Sequence, residues 1–154
     1  MTRERVEPRR SSTVVLVRDG SARPEILVVK RNAKTAFGAV HAFPGGVLET
    51  CDDRVHDQCR GLSAATACRH LGTESSGLRY YSAAIRELFE EVGVLLGDVG
   101  RAVDLDTLRR DLNSGKMIWS SAVQDYEIAL RVDRLHYFAH WVTPVGEPKR
   151  FSTR

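Results

Sequence analysis

The chain has only three cysteines in 154 residues, Cys51, Cys59 and Cys68, an odd number with no C-x2-C pair among them. That argues against the disulfide framework of a secreted protein. The sequence also lacks any apolar run near the roughly 18 residues needed to cross a bilayer, and its first residues contain no apolar stretch of the signal-peptide kind. The expectation is a cytoplasmic protein with no membrane partner. Aromatic residues are sparse at 7%, and 23 basic residues face 20 acidic ones without gathering into a stripe, so the net charge of +3 leaves no nucleic-acid footprint. The one basic cluster, Arg3, Arg5, Arg9 and Arg10, falls in a segment 1–10 that reads as a flexible terminus. What is present, 42% hydrophobic and 28% charged residues, suits a single globular domain over 11–154. No feature of the sequence sets an oligomeric state.

Residues 12–18 (STVVLVR) and 25–31 (EILVVKR) are rich in β-branched residues and parted by Asp19-Gly20 and Pro24, which predicts two strands joined by a hairpin-like loop. A short extended segment at Ala42-Phe43 is stopped by Pro44-Gly45-Gly46. Residues 50–80 read as a surface insertion with one short helix near 62–70. From Ser82 a helical pattern runs to Leu96, with Gly97 as its stop. Further helices are expected at about 104–112 and 121–130. A strand follows over 135–143, ended by Pro144, and then the beginning of another strand. Strands, then helix, then strand predict a mixed α/β sandwich in which helices cover a sheet.

The helix beginning near Ser82 carries the chemistry. Ile85, Leu88, Phe89 and Val92 fall at i, i+3, i+4, i+7 and form one apolar stripe. Glu87, Glu90 and Glu91 fall at i, i+3, i+4 on the other side, where neighbouring Cβ atoms are about 5–6 Å apart. Like charges at that spacing destabilise a helix by a few tenths of a kcal/mol per pair. Hard divalent cations such as Mg²⁺ or Mn²⁺ would turn that repulsion into coordination. The helix alone leaves this reading level with a plainer one, an exposed acidic face with Arg86 as local counter-charge.

Two glycines in Phe43-Pro44-Gly45-Gly46-Val47-Leu48-Glu49 sit where backbone can approach a ligand with no Cβ in the way. Taken with Arg86-Glu87-Leu88-Phe89-Glu90-Glu91-Val92-Gly93-Val94, this loop resembles the Nudix box, G-x5-E-x7-R-E-U-x-E-E-x-G-U, in which U is a bulky apolar residue. The second half matches at every specified position. The first half departs: counting on from Gly46, the acid position holds Asp52 instead of Glu, and 33 residues separate it from Arg86 where the box has seven. Asp53 is an equally good carboxylate for that role. The interrupted box, with Arg31-Asn32 to Phe37-Gly38, His41-Ala42-Phe43-Pro44 and His140-Trp141-Val142-Thr143-Pro144, is similar to the coenzyme A and acyl-CoA diphosphatases of peroxisomal type.

The resemblance implies a Nudix-type α-β-α sandwich with a mixed sheet and an insertion at about 52–80 that chemistry does not need. Because the family's chains continue further, the sheet is expected to be incomplete at its C-terminal end, and the protein to be a fragment or a shortened member. It implies metal-dependent hydrolysis of a small-molecule nucleoside-diphosphate derivative with Mg²⁺ or Mn²⁺ as cofactor. Glu87, Glu90, Glu91 and the Gly45 carbonyl would bind the metals, Glu87 would serve as base and Arg86 would orient the carboxylates. Asp52 or Asp53 would stand behind them. Arg31 and Gly46 would bind substrate, with Lys34 and Lys149 adding positive charge near the entrance. Other readings stay open: a nucleotide-sugar or dinucleotide diphosphatase, or a Nudix fold that binds without cleaving. A zinc site from Cys51, His56, Cys59, Cys68 and His70 ranks below ordinary thiols, because C-x7-C-x8-C is not the spacing of structural zinc. Tyr80, Tyr81 and the pair His140 and Trp141 read as packing residues.

Overall fold

The computed structural model describes residues 6–30 and 41–154. A mixed four-stranded sheet is built from β6 (Gly45–Val47), β1 (Arg9–Thr13), β10 (Phe151–Thr153) and β9 (Trp141–Val142), in that order. β1 runs antiparallel to β6 and parallel to β10, and β10 is antiparallel to β9. Arg9 and Arg10 therefore belong to a sheet strand, in register with Phe151 and Ser152, and not to a loose terminus. Three further two-stranded ladders join β2 (Val17–Arg18) to β3 (Glu25–Ile26), β4 (Val29–Lys30) to β5 (His41–Ala42), and β7 (Gly97–Val99) to β8 (Ile128–Leu130). The Asp19-Gly20 to Pro24 loop makes the hairpin its turn chemistry predicts, with Val17 opposite Ile26.

Helix α3, Gly77–Val92, lies at the centre of the molecule. Its apolar residues divide between two clusters. Leu78, Tyr81, Ile85 and Phe89 pack with Trp119, Leu108 and Ile128, while Ala84 and Leu88 pack on Val14 of the sheet side. Ile85, Leu88 and Phe89 are fully buried, each worth about 1.5–3 kcal/mol of burial. Ser82 accepts a hydrogen bond from Trp119 Nε1 at 3.2 Å, and the Phe89 and Trp119 rings meet at 6.5 Å. The helix thus begins five residues before the expected Ser82 and ends at Gly93, whose left-handed φ of 77° closes it with an amide bond to the Phe89 carbonyl.

The segment expected as a surface insertion forms α1 (Thr50–Asp53), a 3₁₀ turn at His56–Gln58 and α2 (Ala64–Leu71). It is not a surface appendage. Val55, Ala67 and Leu71 are core residues, and the backbone of Cys68 lies so close to Gly77 that a Cβ there would overlap it. Helix α2 is capped by Ser63, whose hydroxyl accepts from the Thr66 amide, and ends on left-handed Gly72.

Beyond α3, helices α4 (Leu105–Asn113) and α5 (Trp119–Asp125) follow the expected order. The expected helix over 121–130 stops at Tyr126, because Glu127 takes a positive φ of 50° and the chain turns into β8. The expected strand over 135–143 is reduced to Trp141–Val142; His140 and Trp141 are exposed, not packed in the core, while Tyr80 and Tyr81 are buried. All three cysteines are free.

Candidate active site

Arg86 occupies the inner side of α3 with its side chain 3% exposed. Its five N–H donors each have a partner: Nε and Nη2 pair with the two oxygens of Asp52 at 2.9 and 3.1 Å, Nη2 also reaches the Val47 carbonyl at 3.0 Å, and Nη1 is shared by Glu87 at 2.9 Å and Glu90 at 3.1 Å. Such a fork-to-fork pair fixes orientation as well as charge. Asp52 is fully buried and reaches back to accept the Glu49 amide at 2.7 Å, which caps α1. Asp53, one residue on, points elsewhere, to Arg79 at 3.1 Å and His56 at 3.8 Å. Of the two acids that the sequence left equivalent, Asp52 is the one that meets Arg86.

The loop before β6 reaches the same end of α3. The Gly45 amide donates to Glu91 Oε2 at 3.1 Å. Gly46 lies against the Glu87 carboxylate so closely that a Cβ would overlap both its oxygens and its carbon. The structure therefore brings together Arg86, Glu87, Glu90, Glu91, Gly45, Gly46 and Asp52. It leaves Asp53 aside, and Lys149 is exposed on the β9–β10 connection. Arg31 and Lys34 lie outside the described residues.

The NUDIX domain profile matches residues 8–150. The chain belongs to the Nudix family. It is similar to a NUDIX hydrolase from Alicyclobacillus acidocaldarius, with a TM-score of 0.76 and 25% identity over 96% of this chain and 68% of that one. No curated protein matches. This Nudix domain is accordingly a hydrolase of phosphoanhydride bonds in small-molecule nucleoside-diphosphate derivatives, a family that generally works with divalent ions.

Among the described residues of the Nudix domain no three acidic, histidine or cysteine side chains converge on one point. Glu87 and Glu90 are turned onto Arg86 and Glu91 onto the Gly45 amide. The donor set nevertheless fits Mg²⁺ or Mn²⁺: it consists of carboxylate oxygens, and the absence of a side chain at Gly46 lets the Glu87 carboxylate lie directly against the glycine loop. Burial pushes the Glu87 carboxyl up to about 7 against the pull of Arg86, with Glu90 and Glu91 adding to the rise. Burial raises Glu90 as well, again opposed by Arg86. Burial alone would lower Arg86; the Asp52, Glu87 and Glu90 carboxylates outweigh that and hold it above its ordinary value. A cation beside these carboxylates would relieve the same desolvation.

Sequence reasoning missed three contributors. The Val47 carbonyl takes one Arg86 donor, and Arg109 and Asn113 of α4 reach the end of α3. All four of these bonds end on main-chain carbonyls, which no residue pattern marks.

Proposed function

We propose that the C-terminal end of α3 and the Gly45-Gly46 loop bind Mg²⁺ or Mn²⁺, and that the substrate cut there is coenzyme A or an acyl-CoA. The observation that carries the reading is the grouping of Glu87 and Glu90 on a fully bonded Arg86, with Glu91 on the Gly45 amide and the Glu87 carboxylate seated against Gly46 where a side chain would otherwise stand. A bound divalent ion would supply charge neutralisation at the diphosphate and ease deprotonation of water. Glu87, Glu90, Glu91 and the Gly45 carbonyl would hold it. Glu87, whose carboxyl is pushed up to about 7 by burial, accepts the proton as water oxygen forms its bond to phosphorus and the bond to the bridging oxygen breaks. Two fragments leave, each carrying one phosphate of the cleaved diphosphate. Arg86 keeps the carboxylates in place, and Asp52 keeps Arg86 in place. The Gly46 backbone and Arg31 would contact substrate.

The coenzyme A reading rests on the interrupted box and on the segments around His41 and His140, and one structural feature supports it. A cavity of about 680 Å³ opens beside α3, lined by Val14, Leu16, Ala84, Leu135, Phe138 and Trp141 among others. That volume lies within the usual range for ligand pockets, and its lining suits an apolar arm. Ala84 lies one helical turn before Glu87.

The test is a panel of coenzyme A, an acyl-CoA, ADP-ribose, NADH and a diadenosine polyphosphate with Mg²⁺ and with Mn²⁺. The expected products from the first two are 3′,5′-adenosine diphosphate and a phosphopantetheine. A preference for ADP-ribose or NADH overturns the substrate reading, and full activity in both Glu90→Gln and Glu91→Gln overturns the metal site.

A further inference from the structure

We propose that Arg109, assisted by Asn113, is a positioning residue for metal binding: it fixes the last turn of α3 through the backbone of Glu90 and Glu91 and so sets the two carboxylates. The inference rests on the divalent-ion reading above.

Glu90 and Glu91 lie in the final turn of α3, the negative end of the helix dipole, which is the less favourable end for a carboxylate. Their own carbonyls are among the last four of the helix and have no amide one turn further on. Arg109 Nε donates to the Glu90 carbonyl at 2.9 Å and Nη2 to the Glu91 carbonyl at 2.6 Å. Asn113 Nδ2 donates to the Glu90 carbonyl at 3.1 Å. One guanidinium thus spans two successive peptide groups and places positive charge at the negative helix end. A lysine ammonium, a point charge without the planar fork, would not match both carbonyls in the same way.

The delivery of this pair is built into α4. Arg109 and Asn113 are four residues apart and share one side of that helix. Each follows a buried anchor, Leu108 and Leu112, seated in the main core cluster. Arg109 differs from Arg86 in what it takes. Arg86 bonds carboxylate oxygens, whereas the Arg109 bonds above go to main-chain carbonyls and occupy no carboxylate oxygen of Glu90 or Glu91.

Mn²⁺ binding to the substrate-free protein, followed by electron paramagnetic resonance of the free ion, reads this directly. Supporting interactions of this kind typically change metal affinity about 10–100-fold. Arg109→Ala is expected to weaken Mn²⁺ binding about tenfold, Asn113→Ala by a smaller factor, and Arg109→Lys to fall between Arg109→Ala and wild type, while circular dichroism shows an unchanged fold. Wild-type affinity in a folded Arg109→Ala overturns the inference and spares the metal site. Absence of Mn²⁺ binding in the wild type overturns both. Should Arg109→Ala fail to fold, the exposed Asn113 decides, since unchanged affinity in Asn113→Ala overturns the proposal.

Discussion

Asp52 and Arg86 stand 34 residues apart in the chain and meet through two parallel bonds of 2.9 and 3.1 Å, with Asp52 fully buried. Removing one partner of a buried pair leaves the other charged and unpaired, at a cost of about 3–5 kcal/mol. Asp52→Ala should lose stability on that scale in denaturant unfolding. Asp53→Ala breaks a half-exposed pair with Arg79 and should lose no more than about 1 kcal/mol. Equal losses in the two variants would mean that Arg86 is not held by Asp52 in solution.

Gly46 makes a second, sharper distinction between stability and activity. A methyl group there must displace the Glu87 carboxylate. Gly46→Ala should fold with a melting temperature near that of the wild type yet lose at least about tenfold in turnover, roughly 1.4 kcal/mol in the barrier. Retained turnover would show that the Glu87 side chain can move aside without cost.

The features that could be read in the sequence are those fixed by local spacing. The stripe Ile85, Leu88, Phe89 and Val92 and the acidic face Glu87, Glu90 and Glu91 follow from 3.6 residues per turn, and both lie on α3. The start of that helix could not be read, because Gly77 looks like a loop signal while its place in the helix is set by the backbone of Cys68. β8 is three residues long, too short for any period, so it merged with the helix before it. Asp52 and Asp53 are identical in kind and adjacent. Which one meets Arg86 depends on how α1 turns after Glu49, a tertiary matter. Arg109 acts on carbonyls, and carbonyls have no sequence.

The raised carboxyl of Glu87 makes the effect of a cation depend on pH. Its value of about 7 in the folded protein exceeds the ordinary 4.5, so the unfolded chain loses this proton first. The Glu87 contribution therefore favours the metal-free fold below about 4.5 and is lost as pH rises through 7. A divalent ion needs the ionised carboxylate, so its stabilisation grows over the same window. The rise in melting temperature on adding Mn²⁺ should be small at pH 5 and large at pH 8, and Glu87→Gln should flatten that difference. An Mn²⁺ shift of the same size at both pH values in the wild type would contradict the assignment.

Whether the segment between the two halves of the box is dispensable turns on the contact between α2 and α3. A removable insertion would leave the glutamate helix intact when deleted, as closing a shorter loop costs little. The structure argues otherwise: Ala67 and Leu71 of α2 are core residues beside Leu78, and Gly77 touches the backbone of Ala67 and Cys68. Backbone cannot step aside as a flexible side chain can, so a methyl group at Gly77 must push the two helices apart. Overpacking of this kind costs about 1–3 kcal/mol. For a domain of this size 1 kcal/mol shifts the melting temperature by about 2–4 °C, so Gly77→Ala should lower it by several degrees, and by more than a Gly72→Ala control, where no atom stands within 4 Å of the new Cβ but φ is 60°. Replacing residues 54–76 with a short linker should expose Leu78 and Tyr81 and abolish cooperative unfolding. A shortened protein that unfolds cooperatively near the wild-type temperature would restore the view of this segment as an appendage.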